Sequence, residues 1–281
     1  MFLVGRTARS ARDVHVPPPL SEALMIQLPY GPNPQQYAEL RIPDASAPFP
    51  VIVLIHGGCW IDYATAQYTA PLAEALTNKN WATWNLEYRR GHEEGGAWPG
   101  TFDDVVQGVD ALREAAKNHP LDLDRVVVMG HSAGGQLALY AAARHRGRLR
   151  GVVSLAGIVD MRTYLDRGPQ RCASGELRVM GGHYRDHPER YAQVSPAELL
   201  PLGTPQVLVW GGKDDIVPEA LFADYQKRAR EAGDRVQVIR ITQADHHQLC
   251  SPEGPGWAQI VEALRSLLQP ATSSIPATAP E

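Results

Sequence analysis

Val126-Val127-Val128-Met129-Gly130-His131-Ser132-Ala133-Gly134-Gly135 reads, left to right, as an apolar run, a sharp glycine turn and the start of an alanine-rich helix. Gly130, Ala133, Gly134 and Gly135 are small enough to let a chain reverse tightly from strand to helix. The reversal lifts Ser132 to the tip of the turn. This is the G-x-S-x-G elbow in a strand–turn–helix setting. A serine capping an ordinary helix would account for the same five residues. What decides between the two lies elsewhere in the chain.

Working outward, Val51-Ile52-Val53-Leu54-Ile55 is a second continuous apolar run, the mark of a strand buried on both faces. Between it and the elbow the pattern predicts a helix over about 68–77, a strand over 81–87 and a helix over about 102–118. The last of these carries Val105, Val109, Leu112 and Ala116 on one stripe. Beyond the elbow come a helix over about 135–144 and a strand over 152–155. Further strands follow over 205–210 and 236–242, with a helix over about 218–232 between them and a final helix over 257–268. Leu24–Leu28 and Tyr37–Ile42, separated by Gly31-Pro32-Asn33-Pro34, read as an antiparallel edge hairpin. Strands alternating with helices imply a three-layer α/β/α sandwich around a mostly parallel sheet, here one domain over 21–269. The stretch 157–202 breaks the rhythm, being polar and punctuated by Arg and Gly. It is expected to be a small helical cap inserted over the active-site edge. Residues 1–20 read as a flexible N-terminal arm, and 270–281, rich in Pro, Ala, Thr and Ser, as a disordered tail.

The 281 residues, 44% of them hydrophobic, are enough for a large core, and a formal charge of −4 offers nothing to nucleic acid or an anionic membrane. No apolar run approaches the ~20 residues of a membrane span. The opening Met1-Phe2-Leu3-Val4-Gly5-Arg6 has too short an apolar core for a signal peptide, with its charge on the wrong side. Three scattered cysteines, Cys59, Cys172 and Cys250, are too few for a disulfide framework or a structural zinc site. The expectation is a soluble, cytoplasmic protein of unknown oligomeric state.

A serine hydroxyl needs a general base to become a nucleophile, and the base needs an orienting acid. Proteins built on this elbow present them in the order Ser, acid, His. The strand over 205–210 runs into Gly211-Gly212-Lys213-Asp214-Asp215, and the next into Gln243-Ala244-Asp245-His246-His247. Both loops follow a strand's C-terminal end and so share the elbow's edge of the sheet. Either Asp could instead cap a helix, and either His could be a surface imidazole. The matching order of all three loops argues otherwise. After the buried strand ending at Ile55 comes His56-Gly57-Gly58-Cys59-Trp60, where adjacent glycines can aim backbone N–H groups at a developing oxyanion. Ala133, following Ser132, would complete that hole. His183, Asp186 and His187 read as a solvated turn rather than metal ligands, so no metal is expected.

These segments resemble α/β-hydrolases of the hormone-sensitive-lipase-like and feruloyl-esterase-like esterase group, and are similar to arylformamidases of the His-Gly-Gly-x-Trp type. The likeness runs from about Tyr37 to Leu268. It rests on His56-Gly57-Gly58-Cys59-Trp60, Glu87-Tyr88-Arg89, Trp98-Pro99 with Asp103-Asp104, the elbow, Asp214 in D-x-x-V-P and Ala244-Asp245-His246. The resemblance implies a cofactor-free serine carboxylesterase with a Ser132–Asp214–His246 triad, acting on a small-molecule ester or amide. Gly57, Gly58 and Ala133 would form the oxyanion hole. Cys59, Trp60 and His131 would line the pocket. Asp215 would cap the following helix. Cys59 and His247 depart from the group's usual aromatic residues and bear on substrate choice. The alternatives are an arylformamidase using the same machinery on an N-formyl amide, and a hydrolase-like binding module without catalysis.

Overall fold

A hairpin of β1 (Leu24–Pro29) and β2 (Tyr37–Ile42) opens an eight-stranded sheet at one edge, in a computed structural model that describes residues 24–61 and 64–269. The expected arm over 1–20 and tail over 270–281 lie outside the described residues. β3 (Phe49–Ile55) leads through α1 (Ala70–Thr77) to β4 (Ala82–Leu86), then through α2 (Ala97–Asp110) and the short α3 (Leu112–Ala115) to β5 (Leu121–His131). α4 (Ala133–Arg144) and β6 (Gly151–Leu155) follow, and then the inserted segment with α5 (Met161–Arg167), α6 (Ala173–Met180) and α7 (Pro188–Val194). β7 (Gln206–Gly211), α8 (Ala220–Glu231), β8 (Val236–Ile241) and α9 (Trp257–Leu268) complete the chain.

The strand order is β1-β2-β4-β3-β5-β6-β7-β8, antiparallel at β1–β2 and β2–β4 and parallel from β4 to β8. Pleating sends successive side chains to opposite faces. Val51, Val53, Ile55 and Val128 therefore join the core under α2, α4 and α8. Ile52, Leu54, Val127 and Met129 join a second core under α1 and α9. That is the expected three-layer sandwich. The chain leaves β3 towards β4 on one side and returns to β5 on the other. Between β3 and β5 the order reverses, and in open α/β sheets a crevice forms at such a point. Among the described residues no helix is long and apolar enough to cross a membrane.

Two elements depart from the sequence expectation. The helix expected over 102–118 belongs to α2, whose backbone is non-helical at Ala97 (φ 51°) and Trp98 (ψ 130°) and regular from Pro99 to Asp110, with α3 as a separate turn. Pro99 and Gly100 look like a loop in sequence, but proline is tolerated in a helix's first turn, where its missing N–H has no partner to lose. Asp215 does not cap α8, whose N-cap is Glu219. It is exposed and pairs with Arg171 of the inserted segment, at 2.6 Å.

Candidate active site

The elbow is shaped by backbone packing. A Cβ on Gly130 would run into the carbonyl of Gly134, and one on Gly134 into the carbonyls of Ile55 and His56. With hydrogens in both places, α4 lies against β3 and β5 closely enough to turn the chain within one residue. That residue is Ser132, at φ 56° and ψ −121°, a conformation a non-glycine residue keeps only where its surroundings enforce it.

Asp214 is buried in the turn after β7, where its Oδ1 accepts from the amides of Ile216 and Val217, both at 2.8 Å. Its Oδ2 faces His246 Nδ1 at 2.8 Å. An ionised carboxylate only accepts, so Nδ1 carries the proton and Nε2 is left with a free lone pair. Ser132 and His246 line one cavity of about 260 Å³. Ser132 Oγ has no hydrogen-bond partner among the described residues. Such contacts commonly tighten only once substrate is bound.

His246 is held from its backbone as well. His131 Nε2 donates to the His246 carbonyl at 2.9 Å. Burial, then the neighbouring His246 and His247, holds His131 well below the usual imidazole range, so the ring is neutral and its Nδ1 is an acceptor. Tyr68 therefore donates its hydroxyl hydrogen to His131 Nδ1, at 3.2 Å. The Tyr68 oxygen in turn accepts from His247 Nδ1, at 3.3 Å. His247 is exposed on the rim, and His246 is buried against Asp214.

The loop after β3 packs beside the elbow. Gly58 (φ 102°), Cys59 (φ 52°) and Trp60 (φ 59°) form a left-handed run. No described residue accepts from the amides of Gly57, Gly58, Cys59 or Ala133. Gly58 and Cys59 line the cavity, whereas Gly57 lies beneath His131 and Ser132. His56 supports the loop from below: Nδ1 donates to the Gly57 carbonyl and Nε2 meets Glu87 Oε1, both at 2.9 Å. Burial alone would raise the Glu87 carboxyl. The hydrogen bond and charge of His56, the Ala66 amide and Arg90 outweigh it and hold the group below its usual range.

Of the three expected pocket residues, Cys59 and His131 line the cavity and Trp60 does not. A buried indole N–H needs a partner, and Trp60 turns inward to donate to Gln136 Oε1 at 3.0 Å, tying its loop to α4. The remaining wall is made by Ala64, Tyr68, Arg171, Cys172, Ile216 and His247, of which only His247 was tied to substrate choice in the sequence. The cysteine expectation also needs correction: Cys59 and Cys172, 113 positions apart, are joined by a disulfide, and Cys250 is free and buried. Glu176 on α6 is fully buried, with no partner for either carboxyl oxygen. Burial, then Asp160, drives its pKa well above the carboxylate range. Among the described residues no three His, Cys, Asp or Glu side chains cluster as a metal site. A larger groove, of about 560 Å³, lies at the opposite edge of the sheet by Leu112, Leu123 and Arg148, away from all of these groups. Ser132 and His246 line the smaller cavity and not this groove.

Comparison with known proteins matches residues 40–226 to the family model described as BD-FAE. Curated relatives include Esterase LipC of Mycobacterium tuberculosis, 26% identical over 235 residues, and Esterase LipQ of the same organism, 25% identical over 238. The matches take in 77% and 78% of this chain but 58% and 56% of those proteins, so the chain spans less than three fifths of their length. Among solved structures, one titled Bacterial Heroin Esterase superposes with a TM-score of 0.74 at 21% identity, over 90% of this chain and 86% of that one. Esterase B from Lactobacillus rhamnosis gives 0.74 at 20% identity, over 88% and 86%. At such identities the structural likeness speaks for the fold.

Proposed function

We propose, from the premise that this chain belongs to the BD-FAE family, that it is a serine esterase cleaving carboxylic esters of small acyl groups. One observation carries the reading: His246 meets Asp214 through Nδ1, and His246 and Ser132 line the same cavity. In this mechanism Nε2 of His246 takes the Ser132 proton as Oγ attacks the ester carbonyl. Asp214 stays ionised and stabilises the imidazolium. The amides of Gly57, Gly58 and Ala133, with the adjoining Cys59, receive the oxyanion; losing one such donor typically costs 10²–10³-fold. His246 then protonates the departing alcohol, and water, activated by the same nitrogen, releases the acid.

A cavity of about 260 Å³ walled by Cys172 and Ile216 favours short acyl chains. Catalytic efficiency should therefore peak at roughly two to four acyl carbons, beyond which added methylenes find no apolar partner. The test is a p-nitrophenyl ester series beside N-formylkynurenine, with Ser132→Ala expected to lose about 10⁴–10⁶ in kcat. His246→Ala should be equally inactive while His247→Ala chiefly alters KM. An optimum at long chains would remove the small-acyl reading, and a large preference for the formyl amide would make the protein an arylformamidase. Failure of a fluorophosphonate to label Ser132 would point to a binding module.

A further inference from the structure

We propose that the Cys59–Cys172 disulfide holds the oxyanion loop in its working conformation, making Cys172, a cap residue, a positioning residue for ester hydrolysis. The inference rests on the esterase reading above. Two consecutive non-glycine residues, Cys59 and Trp60, stand in the left-handed region after Gly58. L-residues do not stay there unless the surroundings hold them.

The holding contacts divide in two. Trp60 is fixed from the body of the protein, by its indole bond to Gln136 and by its carbonyl, which accepts from the Gly91 amide at 2.8 Å. Cys59 is gripped from the cap. Its side chain is bonded to Cys172, which precedes α6 and whose own amide donates to the Tyr164 hydroxyl at 3.2 Å. Its carbonyl lies so close to Gly175 that a Cβ there would occupy the oxygen's place. The gripped carbonyl shares its peptide plane with the Trp60 amide. The Cys59 amide lies one plane back, with the Gly58 carbonyl that accepts from the Ile61 amide at 3.0 Å, so the cap holds this cavity-lining donor through the Cys59 side chain and the plane that follows it. Small displacements at such donors are expensive, a 1 Å misplacement costing on the order of 10²-fold.

The bond is also reachable. Both cysteines line the cavity, Cys172 buried and Cys59 partly exposed, so a small dithiol attacks from the Cys59 side. It would deliver two electrons and two protons, leaving Cys59 and Cys172 as thiols and itself as a cyclic disulfide. Two thiols cannot remain at bonding distance. Gly175 alone then grips Cys59 from the cap, and the loop relaxes. Cys250 offers no competing exchange partner, because burial pushes its thiol up to about 12.

The experiment compares the full chain oxidised, reduced with dithiothreitol and reoxidised, alongside Cys172→Ala and Gly175→Ala. Folding is verified by circular dichroism, and the short-chain ester is assayed at 25 °C. Reduction and Cys172→Ala should each lower kcat about 10- to 100-fold, with KM within about threefold. Reoxidation should restore the wild type, and dithiothreitol should add nothing to Cys172→Ala. Gly175→Ala, which keeps the bond but crowds the Cys59 carbonyl, should lower kcat too. A purely structural crosslink would change melting temperature without this split between kcat and KM. The proposal is overturned if alkylation confirms both thiols free and kcat stays within twofold, or if Gly175→Ala is silent. An oxidised enzyme that cleaves no ester and is not labelled at Ser132 overturns the esterase reading and this inference together.

Discussion

Glu176 is the residue whose chemistry is least explained by its neighbours. It sits on α6 with no exposure and no hydrogen bond to either carboxyl oxygen, its carboxyl raised well above the usual range by burial and by Asp160. Folded, it keeps a proton that the unfolded chain gives up above about pH 4.3. Its contribution to stability is therefore complete below that pH and is lost as pH rises towards the folded value. Glu176→Gln copies the protonated shape and removes this dependence. We expect equal stability at pH 4 and a gain for the variant at pH 8 of about 2–4 °C, the shift of a 1 kcal/mol change in a domain of this size. Thermal melts at the two pH values decide it, and a constant difference would mean that Glu176 folds ionised. Nothing in the sequence singles out this residue, since a glutamate in a polar helical stretch reads as solvated. Ser132, Asp214 and His246 were legible because each stands just past an apolar run, in a fixed order along the chain. Tyr68 and Cys172 were not: they reach the cavity from segments with no local signature, Cys172 lying 113 positions from the residue it bonds.

At the scale of the element, β5, the elbow and α4 act as one unit, and its tolerance is set by backbone contacts. Gly134→Ala would place a methyl group against the carbonyls of Ile55 and His56 and wedge α4 away from β3. Overpacking of this kind costs about 1–3 kcal/mol. It also separates Ser132 from the loop that follows β3, so fluorophosphonate labelling should slow along with the loss of stability. A urea midpoint and a labelling rate both unchanged would show that the helix can shift freely. The strands, α4 and α9 were readable because apolar periodicity there agrees with the packing. α2 was readable only in part. Its start contains Trp98-Pro99-Gly100: Trp98 keeps the extended ψ of 130° that a residue before proline favours, the regular turns begin at Pro99, and Phe102 packs back on Trp98 and on Tyr140. Asp215 misled for a related reason: it had the chemistry of a helix cap but found a cationic partner across the cavity mouth instead.

For the whole molecule, the sheet order leaves β8 with a neighbour on one side, β7, and none among the described residues on the other. That feature matters outside the active site, in how concentrated solutions behave. An open strand presents a row of unsatisfied amides and carbonyls to any other copy it meets. β8 carries Val236, Val238 and Ile239 half-buried, with Gln237 and Arg240 exposed. Arg240, paired with Glu219 at 2.5 Å, is the one charged side chain within β8, and Arg230 of α8 covers the Val236 carbonyl at 3.0 Å. Charged side chains on such edges discourage edge-to-edge association. Arg240→Val should therefore leave turnover intact and lower the concentration at which light scattering first detects aggregates. The colloidal limit of the protein would then be set at the strand farthest from its opening hairpin, by the guanidinium groups that guard it.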